Sequence, residues 1–120
     1  MNRQKKLNKI RVRRKIRARS RLFGTQERPR LSVFRSNRNM FLQLIDDKKG
    51  MTLASVSTRE LKEAARKKSK VSQAELIAAA LFQKAKKLGI TKAIFDRGFY
   101  QYHGRVKAVA EVLRKEGLQL

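Results

Sequence analysis

The densest group of side chains able to recognise a nucleic acid lies between residues 96 and 107. The group combines two arginines, two tyrosines, the only histidine of the chain and two glycines: Arg97, Gly98, Tyr100, Tyr102, His103, Gly104 and Arg105. Arginine binds phosphate, tyrosine stacks on bases, and glycine lets the backbone approach a ligand closely. These residues predict an RNA-contacting loop. Tyrosines in a short loop can also form the lid of a hydrophobic core, and this segment alone leaves both interpretations open.

The elements on either side of this loop are a strand and a helix. An apolar run, Ala93 to Phe95, precedes the loop. A helical pattern follows it, in which apolar residues recur from Val106 to Leu113 and Gly117 marks the end. The loop therefore leads into a helix N-terminus, where free amide groups face outward and attract anions.

The charge of the chain indicates a polyanionic partner. Its 120 residues contain 32 Lys and Arg against 9 Asp and Glu, a net charge of +23. Such an imbalance opposes compaction unless a polyanion neutralises it, which makes nucleic acid the leading partner. An anionic membrane surface is the second candidate, although no segment is long and apolar enough for a span. With no cysteine and one histidine, disulfides are excluded and a zinc site is not expected.

Residues 1–26 form a separate basic arm, with eleven basic side chains and no acidic one, in front of a globular domain at residues 27–120. Its apolar residues fall on two opposite sides of a helical wheel, which argues against a membrane-surface helix. We expect a flexible arm that is disordered when free and becomes ordered on a phosphate backbone. Its predicted RNA contacts are Arg11, Arg13, Arg14, Arg17, Arg19 and Arg21.

Two other interpretations of the arm are weaker. It could be a solvated tail that only improves solubility. Its Arg-rich, acid-free character also resembles an organellar transit peptide, but such peptides are rich in serine and the first 24 residues contain one.

The remaining pattern predicts an α/β fold. Strands are expected at residues 30–36, 40–45 and 52–57, separated by short turns that imply an antiparallel meander. A helix with a capping box at residues 72–75 follows, and it buries Ile77, Leu81, Ala85 and Leu88 before Gly89 ends it. A fourth strand is expected at residues 91–95. We predict a mixed four-stranded sheet with three antiparallel strands, a crossover helix, a fourth strand that can lie parallel to a neighbour, and a C-terminal helix.

Catalysis is not expected. Asp46, Asp47 and Asp96 sit at strand ends, where a nuclease could hold magnesium. However, the first two belong to an ordinary turn, and Asp96 is followed by Arg97, a natural salt-bridge partner. No nucleophile, base and orienting group stand in a recognisable arrangement, and no P-loop or dinucleotide motif is present. The sequence therefore predicts a binding protein with no cofactor, metal or small-molecule substrate.

Several short blocks in a fixed order carry a resemblance to a known family. They are Gly24-Thr25, Arg28 to Leu31, Val33 to Asn37, Gln43 with Ile45-Asp46, Thr52 to Ser55, Phe95 to Gly98, Tyr100, and Tyr102 to Ala108. Together they closely resemble bacterial large-subunit ribosomal protein eighteen, from about residue 24 to the C-terminus. The resemblance implies a structural protein of the cytoplasmic ribosome that binds 5S rRNA. It further implies attachment of 5S rRNA to 23S rRNA in the central protuberance, beside other 5S-associated ribosomal proteins.

The resemblance also implies which residues contact RNA. Besides the arm and the loop at 97–107, it points to Arg30, Arg35, Ser36, Asn37, Arg38 and Gln43. One position departs from the family pattern. Phe99 stands where a small residue, commonly glycine, is expected, so it makes the loop bulkier or adds a stacking surface.

Overall fold

The chain folds as a basic helix followed by one mixed sheet with two long helices. The computed structural model describes residues 3–19, 22–98 and 100–120, with the side chains of residues 15–19 outside that description. The elements are α1 (Arg3–Arg19), β1 (Arg30–Arg35), β2 (Met40–Asp46), β3 (Met51–Ser57), α2 (Glu63–Arg66), α3 (Lys70–Lys87), β4 (Ile94–Asp96) and α4 (Arg105–Glu116), with a short 3₁₀ turn at Thr58–Glu60. No helix in these described ranges combines the length and apolarity that a bilayer span requires.

The sheet has the strand order β3-β2-β1-β4 and confirms the predicted α/β architecture. β1, β2 and β3 pair antiparallel, and β4 pairs parallel to β1 after the crossover through α3. Alternation along the strands separates two faces. Leu31 and Val33 of β1 lie opposite Leu44 and Leu42 of β2, and all four are buried in one core together with residues of α3 and α4.

A β-bulge explains why the buried face of β3 cannot be deduced from its sequence. Leu44 pairs with Ala54, but its neighbour Ile45 pairs with Thr52, so Leu53 is the additional residue. A bulge shifts the alternation of side chains by one position. Leu53 and Val56 therefore both approach the core despite their opposite parity.

Both ends of α3 differ from the sequence prediction. The N-cap is Ser69 and not Ser72, because the Ser69 side chain accepts a hydrogen bond from the Ser72 amide (3.1 Å). Leu88, predicted to be buried, is 56% exposed. The chain reverses just beyond it, and the amide of Ile90 donates to the carbonyl of Ala85 (2.9 Å) in a Schellman motif. Ile90 therefore takes the core position that periodicity had assigned to Leu88.

The arm is helical where the sequence predicted flexibility and disorder in the free protein. α1 contains neither proline nor glycine, and its many Lys and Arg residues are good helix formers. The side chains of residues 3–14 are exposed, in agreement with the absence of a single apolar stripe. The boundary predicted between residues 26 and 27 stays a prediction, although the chain already contacts the sheet at Gly24, whose amide donates to Asp47 (2.8 Å).

Candidate nucleic-acid interface

Two segments that the sequence marked separately as RNA contacts lie side by side. The hydroxyl of Tyr100 accepts a hydrogen bond from the amide of Arg35 and donates one to the carbonyl of the same residue, both at 2.9 Å. The guanidinium of Arg35 lies 5.1 Å from the centroid of the Tyr100 ring. The turn after β1 and the loop before α4 therefore form one surface, which we call the paired-loop surface (residues 35–38, 97, 98 and 100–107).

Tyr100 joins these two segments and does not offer its ring to a base. It is only 9% exposed and belongs to the hydrophobic core. The predicted stacking role therefore does not fit Tyr100, for which the alternative interpretation as the lid of a core is the better description. The buried hydroxyl obtains its hydrogen bonds from backbone that would otherwise be free at the end of β1.

Tyr100→Phe is expected to lower the free energy of unfolding by about 1–2 kcal/mol, because it removes two part-buried hydrogen bonds while keeping the ring. Urea denaturation followed by circular dichroism measures the change. Tyr102→Phe is the matched control, since it loses one exposed hydrogen bond to Arg114 and should change stability by less than about 0.5 kcal/mol. Equal effects of the two substitutions would contradict the role of Tyr100 in joining the loops.

Tyr102 has the opposite environment and is 36% exposed. Its ring packs against that of Phe95 in an edge-to-face arrangement, with the centroids 6.1 Å apart and the ring planes at 85°. Its hydroxyl accepts a hydrogen bond from the guanidinium of Arg114 (2.9 Å), which also lies 6.0 Å from the ring centroid. These contacts hold an accessible aromatic ring in place. Sequence reasoning found Tyr102 but missed Phe95 and Arg114 as its supports.

Arg105 and Arg35 are two cations of the paired-loop surface whose charges repel each other. Partial burial lowers the pKa of Arg105 below its ordinary value, and the nearby charge of Arg35 lowers it further. Among the described residues, neither guanidinium has a carboxylate within salt-bridge distance. An anion between them would remove the mutual repulsion, which makes this pair suited to a phosphate group.

The N-terminus of α4 opens on the same surface. Its N-cap is Gly104, which makes no side-chain cap and has a positive φ of 56° that glycine adopts without strain. The first amides of the helix therefore keep the partial positive charge that attracts anions. This geometry confirms the predicted loop between a strand and a helix.

Arg30 lies beneath this surface in a buried ionic network. Its guanidinium binds Asp96 (2.7 Å) and makes two hydrogen bonds to Asp47 (both 3.0 Å). The hydrogen bond to Asp47 raises the pKa of Arg30 more than burial lowers it. The side chain of Arg30 is occupied by two carboxylates, and the RNA contact predicted for this residue stays a prediction. Arg97, which we expected to pair with Asp96, is exposed instead.

The network fixes both the base of the arm and the start of the loop. Asp47 accepts a hydrogen bond from the amide of Gly24 (2.8 Å), and Asp96 accepts one from the amide of Gly98 (2.9 Å). A Cβ added to Gly24 would lie 2.3 Å from the amide nitrogen of Arg30, so only glycine fits there. One arginine therefore connects the two segments that carry most of the predicted RNA contacts.

The three carboxylates considered for magnesium have other partners. Asp47 and Asp96 bind Arg30, while Asp46 accepts hydrogen bonds from the amides of Lys48 and Lys49. Within the part of the chain that the structure describes, no group of three or more potential ligand residues could hold a metal ion. The carboxylates have structural roles in the turn and in the network around Arg30.

The other predicted contact residues lie in three places. Asn37, Arg38, Arg97 and His103 are exposed on the paired-loop surface, Ser36 closes its own turn through Asn39, and Lys107 lies 3.8 Å from Glu111. Gln43 is half-buried on the sheet face opposite the helices. Arg11, Arg13 and Arg14 are exposed on α1. Arg17 and Arg19 belong to α1, but their side chains lie outside the described part of the chain. Arg21 and Phe99 lie outside it entirely.

Comparison with known proteins gives one consistent result. The family model described as ribosomal L18 of archaea, bacteria, mitochondria and chloroplast matches residues 4–120. Large ribosomal subunit protein uL18 of Limosilactobacillus reuteri and that of Lactobacillus delbrueckii subsp. bulgaricus are each 52% identical to this chain. The uL18 protein of Listeria monocytogenes is 49% identical. Each alignment covers 93% of this chain and 93% of the relative.

Proposed function

This chain belongs to the L18 family of large-subunit ribosomal proteins, and from that premise we propose that it binds 5S rRNA and helps attach it to 23S rRNA in the central protuberance. Membership makes it a structural constituent of the large ribosomal subunit, with rRNA and ribosomal proteins as its partners, and not an enzyme. Its place of action is the cytoplasmic ribosome. The identity of the RNA and its position in the subunit are the proposed part.

The observation that supports this proposal most directly is the joining of two basic segments by Tyr100. The hydroxyl bridge to Arg35 places the cations of both loops on one rigid surface. The pair formed by Arg35 and Arg105, the open N-terminus of α4 and the exposed ring of Tyr102 then offer three kinds of RNA contact. Cations bind phosphates of any sequence, while a fixed surface selects one folded RNA shape.

The arm has a different part in this mechanism. Its exposed cations project from α1, apart from the folded sheet, and displace condensed counterions from phosphates. Such contacts raise affinity for every RNA. The paired-loop surface supplies the preference for one RNA, because it presents several groups in a fixed arrangement.

The central test is selectivity. The purified protein at moderate salt is expected to bind 5S rRNA more tightly than an unrelated transcript of equal length, measured by filter binding or mobility shift. A pull-down from cell lysate followed by sizing and sequencing of the bound RNA gives an independent result. Equal affinity for the two transcripts would overturn the proposal.

A second experiment separates the arm from the loops. Deleting residues 1–22 is expected to weaken binding to many RNAs alike, whereas Tyr102→Ala combined with Arg105→Ala should mainly reduce the preference for 5S rRNA, by about 10- to 100-fold if it removes about 1.4–2.8 kcal/mol of specific contacts. Lys86→Ala with Lys87→Ala, at the exposed end of α3, is the control for the loss of positive charge. The proposed division of roles between arm and loops is wrong if the loop variant weakens the binding of all RNAs equally.

A further inference from the structure

The face of the sheet opposite α3 and α4 carries two neighbouring phenylalanines. Phe34 of β1 and Phe41 of β2 are cross-strand partners in the antiparallel register. Their positions alternate with the buried Val33 and Leu42, so both rings are on the face away from the helices. Phe34 is 58% exposed and Phe41 is partly exposed. Directly opposed residues have Cβ atoms about 5 Å apart, so the two side chains are neighbours and together form an aromatic area on this face.

A hollow adjoins this aromatic area. Its volume is about 380 Å³, and its lining includes Phe34, Phe41, Ser57 and Arg59. This volume lies within the range of about 300–1,000 Å³ that small planar ligands occupy in proteins. The hollow is therefore large enough to receive a single base against the two rings.

Hydrogen bonds hold the rim of the hollow in place. The hydroxyl of Thr58 accepts a hydrogen bond from the amide of Met40 (3.0 Å) and donates one to the side-chain carbonyl of Asn39 (3.1 Å). The side chain of Ser57 accepts from the amide of Arg59 (3.2 Å). The end of β3 and the start of β2 are thus fixed relative to each other, and the cavity is preformed.

The charge around the hollow is positive. Arg59 lines the hollow from the side of β3 and is exposed. Glu60 is next to Arg59 in sequence, yet among the described residues Arg59 has no carboxylate within salt-bridge distance. An apolar surface beside an exposed cation matches the two parts of a nucleotide, the flat base and its phosphate.

We propose that Phe34 and Phe41 form a stacking platform for an unpaired RNA base, with Arg59 bound to the adjoining phosphate. The inference rests on the proposed RNA-binding function and adds a site that neither the loop residues nor the arm provides. Positive charge around the rings favours RNA over a protein partner, because a protein docking there would have to bring acidic side chains to a surface this basic. The signal in the sequence was the alternation that takes Phe34 out of the core.

Phe34→Ala is expected to weaken binding of 5S rRNA by about 5- to 100-fold, which corresponds to the loss of one base stacked on an aromatic ring. Phe34→Trp should restore the affinity, because it replaces one aromatic face by another. Leu88→Ala is the matched control, since it removes an equally exposed apolar side chain on α3. The dependence of affinity on salt should be the same for Phe34→Ala and the wild type, because no cation is removed.

The result of the Phe34→Ala experiment can be distinguished from that of the selectivity test. An unstructured oligoadenylate contains unpaired bases without the 5S fold, and Phe34→Ala should weaken its binding as well, even if the wild type shows no preference for 5S rRNA. If Phe34→Ala binds both RNAs with the affinity of the wild type, the proposed platform is overturned. This holds even if Phe34→Ala is incorporated less well into ribosomal subunits, because a contact with another protein would then explain the exposed surface. The same loss in Leu88→Ala would overturn it too.

Discussion

Arg30→Met is expected to lower the free energy of unfolding by about 3–5 kcal/mol, an effect large enough to unfold a marginally stable domain. Methionine keeps most of the volume of arginine but leaves Asp96, which is 1% exposed, without its cation. A buried carboxylate that loses its partner retains the desolvation cost without the compensating attraction. Urea denaturation followed by circular dichroism measures the difference.

Arg28→Met is the matched control for Arg30→Met, because Arg28 is exposed two residues earlier and also carries one positive charge. Its substitution should change stability by less than about 0.5 kcal/mol. A loss below about 1 kcal/mol for Arg30→Met would show that the network is not needed for folding. Arg30→Lys should lower the free energy of unfolding by an amount between those of Arg28→Met and Arg30→Met. Its ammonium group keeps the charge but cannot make the forked contact with Asp47.

The stabilisation that Arg30 gives the wild-type protein should not be lost between pH 6 and pH 9. The pKa of Arg30 is raised above its ordinary value, mainly by the hydrogen bond to Asp47. A cation whose pKa is higher in the folded protein contributes its full stabilisation below the unfolded pKa and loses it only as the pH rises through the folded value. That window lies far above neutral pH, so the charge of Arg30 should add no pH dependence to the free energy of unfolding of the wild type between pH 6 and pH 9, which urea denaturation at the two pH values checks.

The network around Arg30 also illustrates what one sequence can and cannot predict. The order of strands and helices follows from local patterns, such as the alternation of Leu31 and Val33 and the helical spacing from Val106 to Leu113, and the structure confirms both. The partners of Arg30 are 17 and 66 residues distant in the chain, and no local pattern reports them. An arginine that follows a proline in a basic protein therefore resembles any other RNA contact.

Tyr100 and Tyr102 show the same limit at closer range. The two residues are of the same type and two positions apart in one loop, yet one closes the core and the other is open to solvent. The difference arises because Tyr100 reaches the backbone of Arg35, 65 residues earlier, while Tyr102 packs against Phe95 and Arg114. Residue type predicted the paired-loop surface, and only tertiary contacts could assign the role of each ring.

The affinity for RNA is expected to fall by about 10³ or more between 50 and 200 mM salt, if roughly six or more phosphates are neutralised. Each phosphate contact releases condensed counterions, and the free energy gained from this release falls as the salt concentration rises. The net charge of +23 and the exposed cations of α1 and of the paired-loop surface provide more than enough positive groups. Binding titrations of 5S rRNA across this salt range measure the slope of log affinity against log salt.

Truncation shows which cations produce this salt dependence. Removing residues 1–22 should reduce the slope by about one unit for each phosphate that the arm neutralises, while the folded domain keeps a smaller slope of its own. The Phe34→Ala protein should keep the full slope at lower affinity, because its deficit is in stacking and not in charge. A flat salt response of the full-length protein would remove the electrostatic mechanism, whereas an unchanged slope after truncation would place all phosphate contacts on the folded domain.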